Sequence, residues 1–328
     1  MHRIVRTLVT LLAAATIGLW SISLGGVLPA TAAPVALADS PCANPLKPGG
    51  LPPSASSIVD LGQGDAFGLN NNGQVVGTRY SSQGGEAFLY SGGATTALGS
   101  LDGRSSAALA VNDAGQVVGV SYTATGDQHA SLFAGGTMSD LGTLPLGTDN
   151  SSYAFAINAC GQVVGLSQGI SFNPFPVIAE HPFLYSGGAM TDLGTLGGNN
   201  SVNAARGINA SGQIVGVATL PNLAVHAFLS SGQGLQDLGT LPGGTGSEAD
   251  AINASGQVVG RSSTASGATD AFFYSGGVMA DLGVPSNAYG SAATSINSAG
   301  QVVGYLSLFS GTSVSYTHLR AHETGRNL

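Results

Sequence analysis

The chain has 328 residues, of which 8% are charged, with 51 glycines, two cysteines and a formal net charge of −8. Residues 39–313 carry five basic side chains, Lys47, Arg79, Arg104, Arg206 and Arg261, against sixteen Asp or Glu. A surface this acidic repels phosphate backbones and anionic lipid, which argues against nucleic acid and membrane as partners.

In chain order, residues 1–38 read as a signal peptide: His2, Arg3 and Arg6 precede an uncharged run from Thr7 to Leu37 that ends among small residues such as Ala36 and Ala38. Cleavage there would leave a mature protein that is extracellular or at the cell surface, with no membrane association afterwards; the competing reading is an uncleaved anchor. Residues 39–57 are a linker rich in Pro, Gly and Ser. Residues 58–62, Ile-Val-Asp-Leu-Gly, match the fourth strand of a repeat without its first three. They are expected to pair with the C-terminal unit and close a ring of six or more blades, because an open sheet edge invites unwanted pairing.

A repeat domain over residues 58–313 follows. The pattern aliphatic-Asn-x-x-Gly-Gln-(Val/Ile)-Val-Gly occurs six times, with its Asn and Gly at Asn70 and Gly73, Asn112 and Gly115, Asn158 and Gly161, Asn209 and Gly212, Asn253 and Gly256, and Asn297 and Gly300. Asn suits the first position of a type I turn and Gly the positive φ three places on, so each motif predicts a hairpin. A second hairpin follows in each unit, cornered by Gly-Gly between apolar runs at residues 87–101, 129–144, 181–196 and 270–283, with a variant at 226–241. Four short strands at a period of about 44 residues are the arithmetic of a β-propeller blade, and the first strands are rich in small residues that suit a crowded centre. A β-solenoid is the alternative, with each unit supplying two rungs.

The His226-Ala227-Phe228 run, the downstream Asp237-Leu238-Gly239-Thr240-Leu241 and the Asn-x-x-Gly-Gln turn, recurring in order over some 250 residues, resemble the HAF family of extracellular bacterial repeats. The resemblance implies a secreted or surface-exposed repeat protein with no established biochemical role. Departures are local: Glu86 and Asp270 stand in place of the His, Ser131 in place of the Phe and Ala97 in place of the Asp.

Little in the chain points to chemistry. His129, His181 and His226 hold equivalent positions in successive repeats, which would spread them around a ring, so no metal is expected, since zinc needs its ligands on one ion. They read as hydrogen-bonding caps on strand entry. The Asp at 60, 140, 192, 237 and 281 reads as a turn fastener accepting backbone N–H groups. Nucleophile-elbow, phosphate-loop and calcium-loop motifs are absent from the sequence, and neither a catalytic residue nor a cofactor is expected. Cys42 and Cys160 are a candidate disulfide, permitted by export; Cys160 alternatively just fills a variable turn position.

Function should lie where repeats differ. The third unit carries extra length between Gly165 and His181, where Phe172 and Phe175 lie beside Pro174 and Pro176, with Glu180 as a polar neighbour. This predicts an aromatic platform for a sugar face or peptide, unless the insertion folds back on its own blade. The expected role is non-enzymatic binding or structure, with polysaccharide or a cell-surface protein as partner; the alternative is a polysaccharide-acting hydrolase or lyase on a propeller. Residues 314–328 fall outside this reading, because Val314 onward resembles translated adapter DNA from sequencing libraries, and the repeat domain of residues 58–313 is accordingly read as truncated at its C-terminal side.

Overall fold

Each Asn-x-x-Gly-Gln motif folds as a tight turn. In the fourth copy the Gly212 N–H donates to the Asn209 carbonyl and the Asn209 N–H to the Gln213 carbonyl. Asn209 Oδ1 accepts the N–H groups of Ser211 and Gln213, so the side chain holds the loop it begins. The six turn glycines take φ between 72° and 76°, a region that costs a residue bearing Cβ roughly 1–2 kcal/mol. The turns between third and fourth strands, at the same end of the sheet, use Gly-Gly, as at Gly187 and Gly188 with φ of 60° and 86°, matching a primed hairpin turn.

The computed structural model describes residues 59–82, 84–172, 175–198 and 202–309, and the backbone of 313–319. The signal peptide, the linker, Cys42 and Ile58 lie outside the described residues. Among those described, the chain forms five four-stranded antiparallel meanders. The first is β1 (Gly64–Leu69), β2 (Val75–Ser81), β3 (Gly84–Ser91) and β4 (Ala94–Gly99), and the second is β5 (Ser106–Val111), β6 (Val117–Tyr122), β7 (Gln128–Ala134) and β8 (Thr137–Asp140). The third is β9 (Thr148–Ile157), β10 (Val163–Phe172), β11 (Pro176–Ser186) and β12 (Ala189–Asp192). The fourth is β13 (Ala204–Ile208), β14 (Ile214–Thr219), β15 (Val225–Ser230) and β16 (Leu235–Asp237). The fifth is β17 (Ser247–Ile252), β18 (Val258–Ser263), β19 (Thr269–Ser275) and β20 (Val278–Asp281). A sixth unit has three strands, β21 (Ala288–Ile296), β22 (Val302–Leu308) and β23 (Ser313–Leu319).

The first strand of each unit contacts the first strand of the next, so these strands are innermost. A bulge separates the two inner strands of every blade, as between Ala249 and Ala251, and the last Gly of the motif passes under it. A Cβ on Gly260 would lie 1.9 Å from the Glu248 carbonyl oxygen, and one on Gly119 would lie 1.9 Å from that of Ala107. That close approach, and not backbone conformation, is why this glycine recurs.

Blades meet through side-chain faces. Where the fourth blade meets the fifth, Val215 packs on Ala249, Val258 and Ile252; the other four joints repeat the pattern, with Val76 on Ala108, Val118 on Ala154, Val164 on Ala205 and Val259 on Ala293. Each buried Val or Ile contributes roughly 1.5–3 kcal/mol. Two polar latches recur with them. Asn209 Nδ2 donates to the Asn253 carbonyl of the next blade at 3.0 Å, as Asn70, Asn112, Asn158 and Asn253 do to their successors. Ser247 Oγ accepts the Ala227 N–H and donates to the Gly239 carbonyl. This geometry rules out the solenoid alternative. A solenoid would pair successive repeats strand to strand in parallel, whereas among the described residues the one parallel bridge joins Thr269 to Gly290.

One expectation, at the N-terminal end of the repeat region, needs correcting. Val59–Gly62 joins no sheet: the Gly62 N–H turns back to Asp60 Oδ1, and the segment lines a cavity of about 480 Å³ with Asp65, Arg79 and Phe88. At the other end, residues 313–319 do form a strand, antiparallel to β22, in the slot of the missing third strand. Ladder bonds are made by main chain, so that slot accepts a segment with no repeat motif.

Candidate functional site

The insertion in the third blade lengthens a hairpin. Strands β10 and β11 have ten and eleven residues where β6 and β7 have six and seven, and they stay paired from Val163 with Tyr185 out to Phe172 with Pro176. It therefore projects beyond the blade and does not fold back on it. Strand β9 begins early and supports the base, with Thr148 opposite Ile170. At Gly169 a Cβ would meet Asn150 Oδ1 at 2.3 Å, so the support packs against bare backbone.

Phe172 and Phe175, at the end of the hairpin, are 65% and 75% exposed. Val177 and Ile178 beside them are exposed as well. The expected third member is elsewhere. Glu180 stands opposite Gln168, four residues beyond Pro176, or about 13 Å at the usual rise of about 3.3 Å per residue. It accepts the Asn203 backbone N–H of the next blade; burial nonetheless pushes its carboxyl up to about 7. A carboxyl in that state is a proton donor near neutrality, and no longer the rim carboxylate the sequence suggested.

Between this hairpin and the second blade lies a cleft of about 340 Å³, lined by Tyr122, Asp127, Gln128, Asp149, Gln168 and Ile178 with their neighbours. The Tyr153 hydroxyl donates to Gln128 Oε1 at 2.6 Å, so the amide oxygen is engaged and its NH₂ is left as a donor. Burial, then the nearby Tyr122 and Glu180, pushes the Tyr153 hydroxyl up to about 12, so it stays a donor across the ordinary pH range. Amides, carboxylates, a phenol and two isoleucines on one wall suit a hydroxylated ligand with an apolar face.

A second polar cluster lies on the inner strands of blades four and five. Arg206 bonds Asp250 at 2.8 Å and Glu248 at 3.0 Å, and Arg261 bonds Glu248 at 2.6 Å while donating to the Tyr305 hydroxyl of the sixth unit at 3.3 Å. Two guanidinium groups thus neutralise two carboxylates across three units. Burial pushes the Asp250 carboxyl up, against the pull of Arg206 and Arg261. Sequence reasoning missed this cluster. The usable signal was that Arg206, one of the scarce arginines, stands one repeat, 44 residues, before Asp250.

The repeated acids and histidines pair with each other. His129 Nδ1 is 2.8 Å from Asp140 Oδ2, His181 Nδ1 is 2.7 Å from Asp192 Oδ2, and His226 Nδ1 is 2.9 Å from Asp237 Oδ1. Each Asp also accepts the N–H of the Gly two residues on. The pairs sit in three separate blades, and among the described residues no three His, Cys, Asp or Glu side chains gather in a metal-holding group. In the fifth blade the same place holds two acids: Asp270, whose Oδ1 is buried without a partner, and Asp281. Burial and the Asp281 charge push the Asp270 carboxyl up. Cys160 is disulfide-bonded.

Among solved structures the chain is similar to the β-propeller domain of the trilobed protease from Pyrococcus furiosus, at a TM-score of 0.54 and 9% identity, over 76% of this chain and 79% of that one. The fold is a β-propeller. A puromycin-hydrolysing peptidase from Mycobacterium tuberculosis (TM-score 0.46, 14% identity, 77% of this chain) and an acylaminoacyl peptidase from Pyrococcus horikoshii (0.46, 9%, 76%) also match. The propeller spans 43% and 44% of the lengths of those two peptidases. No protein-family model matches the chain, and no curated protein does. Among the described residues no helix is long and apolar enough to cross a membrane.

Proposed function

We propose that this propeller is an exported, non-enzymatic binding protein of the HAF-like extracellular repeat type, taking polysaccharide at the third blade. The observation that carries the reading is the hairpin of β10 and β11, which among the described residues is the one that reaches beyond its neighbours, ending in two exposed phenylalanines above the polar cleft. Aromatic faces stack on the apolar side of a pyranose, and the amides and carboxylates below suit its hydroxyls. Export rests on the leader at residues 1–38, and N-terminal sequencing of the secreted protein should begin at Asp39.

The test is a glycan array with the parent and a Phe172→Ala, Phe175→Ala double variant. Both side chains are exposed, so stability should change by no more than about 0.5 kcal/mol, while retention on the preferred glycan should fall at least about tenfold. Unchanged retention removes the hairpin as the site.

The competing reading, a polysaccharide-acting hydrolase or lyase, draws on Glu180, whose carboxyl near 7 has the protonation of a general acid. Against it, Glu248 and Asp250 on the inner strands are already bound by arginines. Glu180→Gln separates the two: a hydrolase would lose turnover, whereas the binding protein keeps its glycan.

A further inference from the structure

The cleft beside the third blade carries an acid from each of its two blades, and none of its lining residues is basic. Asp127, in the turn between β6 and β7, comes from the second blade, and Asp149 on β9 from the third. Arg104 comes close to Gly126 of the lining, but its guanidinium is held by Asp102 at 2.7 Å and donates to the Ala124 carbonyl at 3.1 Å. Asp127 Oδ2 accepts the Thr125 hydroxyl, a neutral donor that leaves the carboxylate charge in place.

A break in strand register puts Asp149 there. Thr148 pairs with Ile170 and Ser151 with Gln168, so Asp149 and Asn150 together span the single residue Gly169. Such a bulge re-aims side chains, and this one holds Asp149 at a φ of 50°, a left-handed conformation that is costly for a residue bearing Cβ. Asn150 Nδ2 donates to the Gly147 carbonyl. Its Oδ1, packed over Gly169 of the lining, is buried and among the described residues has no donor. Two carboxylates without a cation and one amide oxygen without a donor are thus left at one place. Ile170 and Ile178, directly paired across β10 and β11, supply an apolar patch in the same lining.

We propose that the cleft selects a cationic amino sugar, a pyranose with an unacetylated nitrogen, its ammonium seated between Asp127 and Asp149 and its apolar face on Ile170 and Ile178. This rests on the polysaccharide reading of the third blade and names the sugar class. A neutral hexose would desolvate both carboxylates without compensation, and a uronic acid would be repelled by them. A lysine-rich peptide offers the same ammonium but no hydroxylated ring for Tyr122, Gln128 and Gln168, so the sugar satisfies more of the lining.

The experiment is direct binding of the full chain, at low and at physiological salt, to glucosamine oligomers, to N-acetylglucosamine oligomers of equal length, and to oligolysine. The parent should bind the unacetylated sugar at least about tenfold more tightly than the acetylated one at low salt, and added salt should narrow the gap. Asp127→Asn and Asp149→Asn should each reduce that preference to about threefold or less. Asp149→Gly suits the left-handed backbone, so it should lose the preference without losing stability, which separates charge from folding. Equal or tighter binding of the acetylated sugar overturns the proposal and leaves the polysaccharide reading standing. Binding of neither sugar also overturns it; retention of another glycan on the array then keeps the polysaccharide reading, and retention of none removes that too. Oligolysine bound as tightly as glucosamine, and weakened by the same variants, overturns the sugar and assigns the cleft to basic peptide.

Discussion

The two ends of the sheets differ in what varies. Asparagine turns and Gly-Gly corners crowd one end, and there the same bonds recur unit after unit, with Asn Oδ1 holding its own loop and Nδ2 reaching the next. The other end holds the hairpins between second and third strands and the connections between blades, and there each unit is different: the third blade projects, and the second offers the wall of the cleft. The contrast shows how a propeller separates its tasks. Identical joints require identical residues, so the end that builds them cannot diversify, and recognition is left to the loops opposite.

The largest effect is expected where one motif residue serves in two situations. Asn209 is buried and bonded to its own loop and to the next blade; Asn209→Ala should cost about 2–4 kcal/mol in chemical denaturation, because it leaves several buried backbone groups unpaired. Asn297→Ala, at the exposed last rung, should cost under about 1 kcal/mol. Equal costs would mean that the inter-blade bonds contribute nothing to the difference.

At the variable end the expected effect is smaller and depends on pH. Glu180 is held near 7 in the folded chain against an ordinary 4.5, so between those values the folded chain keeps a proton the unfolded chain has released. Stability on this account is greatest below pH 4.5 and is lost as pH rises through 7. Glu180→Gln should therefore raise stability by about 1–3 kcal/mol at pH 8 and leave it unchanged at pH 4. A gain of the same size at both pH values would assign it to packing instead of charge.

The smallest effect tests the repeat against its own exception. Asp270→His would restore opposite Asp281 the pair seen at His129, His181 and His226, and should raise stability by about 1 kcal/mol at pH 7. Thermal unfolding with no gain would show that the three native pairs hold orientation without adding stability.

The architecture was largely legible because glycine and asparagine are needed at fixed offsets wherever the chain turns sharply, and a period repeated six times leaves few alternatives. The turn positions Asn70 through Gly300 could be placed on backbone conformation alone. The second motif glycine was visible but not its reason, since the carbonyl it passes under belongs to another strand. The projecting hairpin could be located from its extra length. Its geometry could not: strand pairing from Val163 out to Phe172 carried Glu180 to the root and the phenylalanines to the tip, a separation that sequence neighbours do not reveal.

Local rules thus determined the strands, their corners and the period, because each depends on residues a few positions apart. Only the tertiary structure decided which faces were sealed, how His129 found Asp140, that Arg206 and Arg261 neutralise Glu248 and Asp250, and which apolar surfaces were left bare. Those outcomes depend on side chains meeting across neighbouring strands 11 residues apart, as for His129 and Asp140, or across neighbouring blades 44 residues apart, as for Arg206 and Asp250. Both are set by strand register and by how the blades stack.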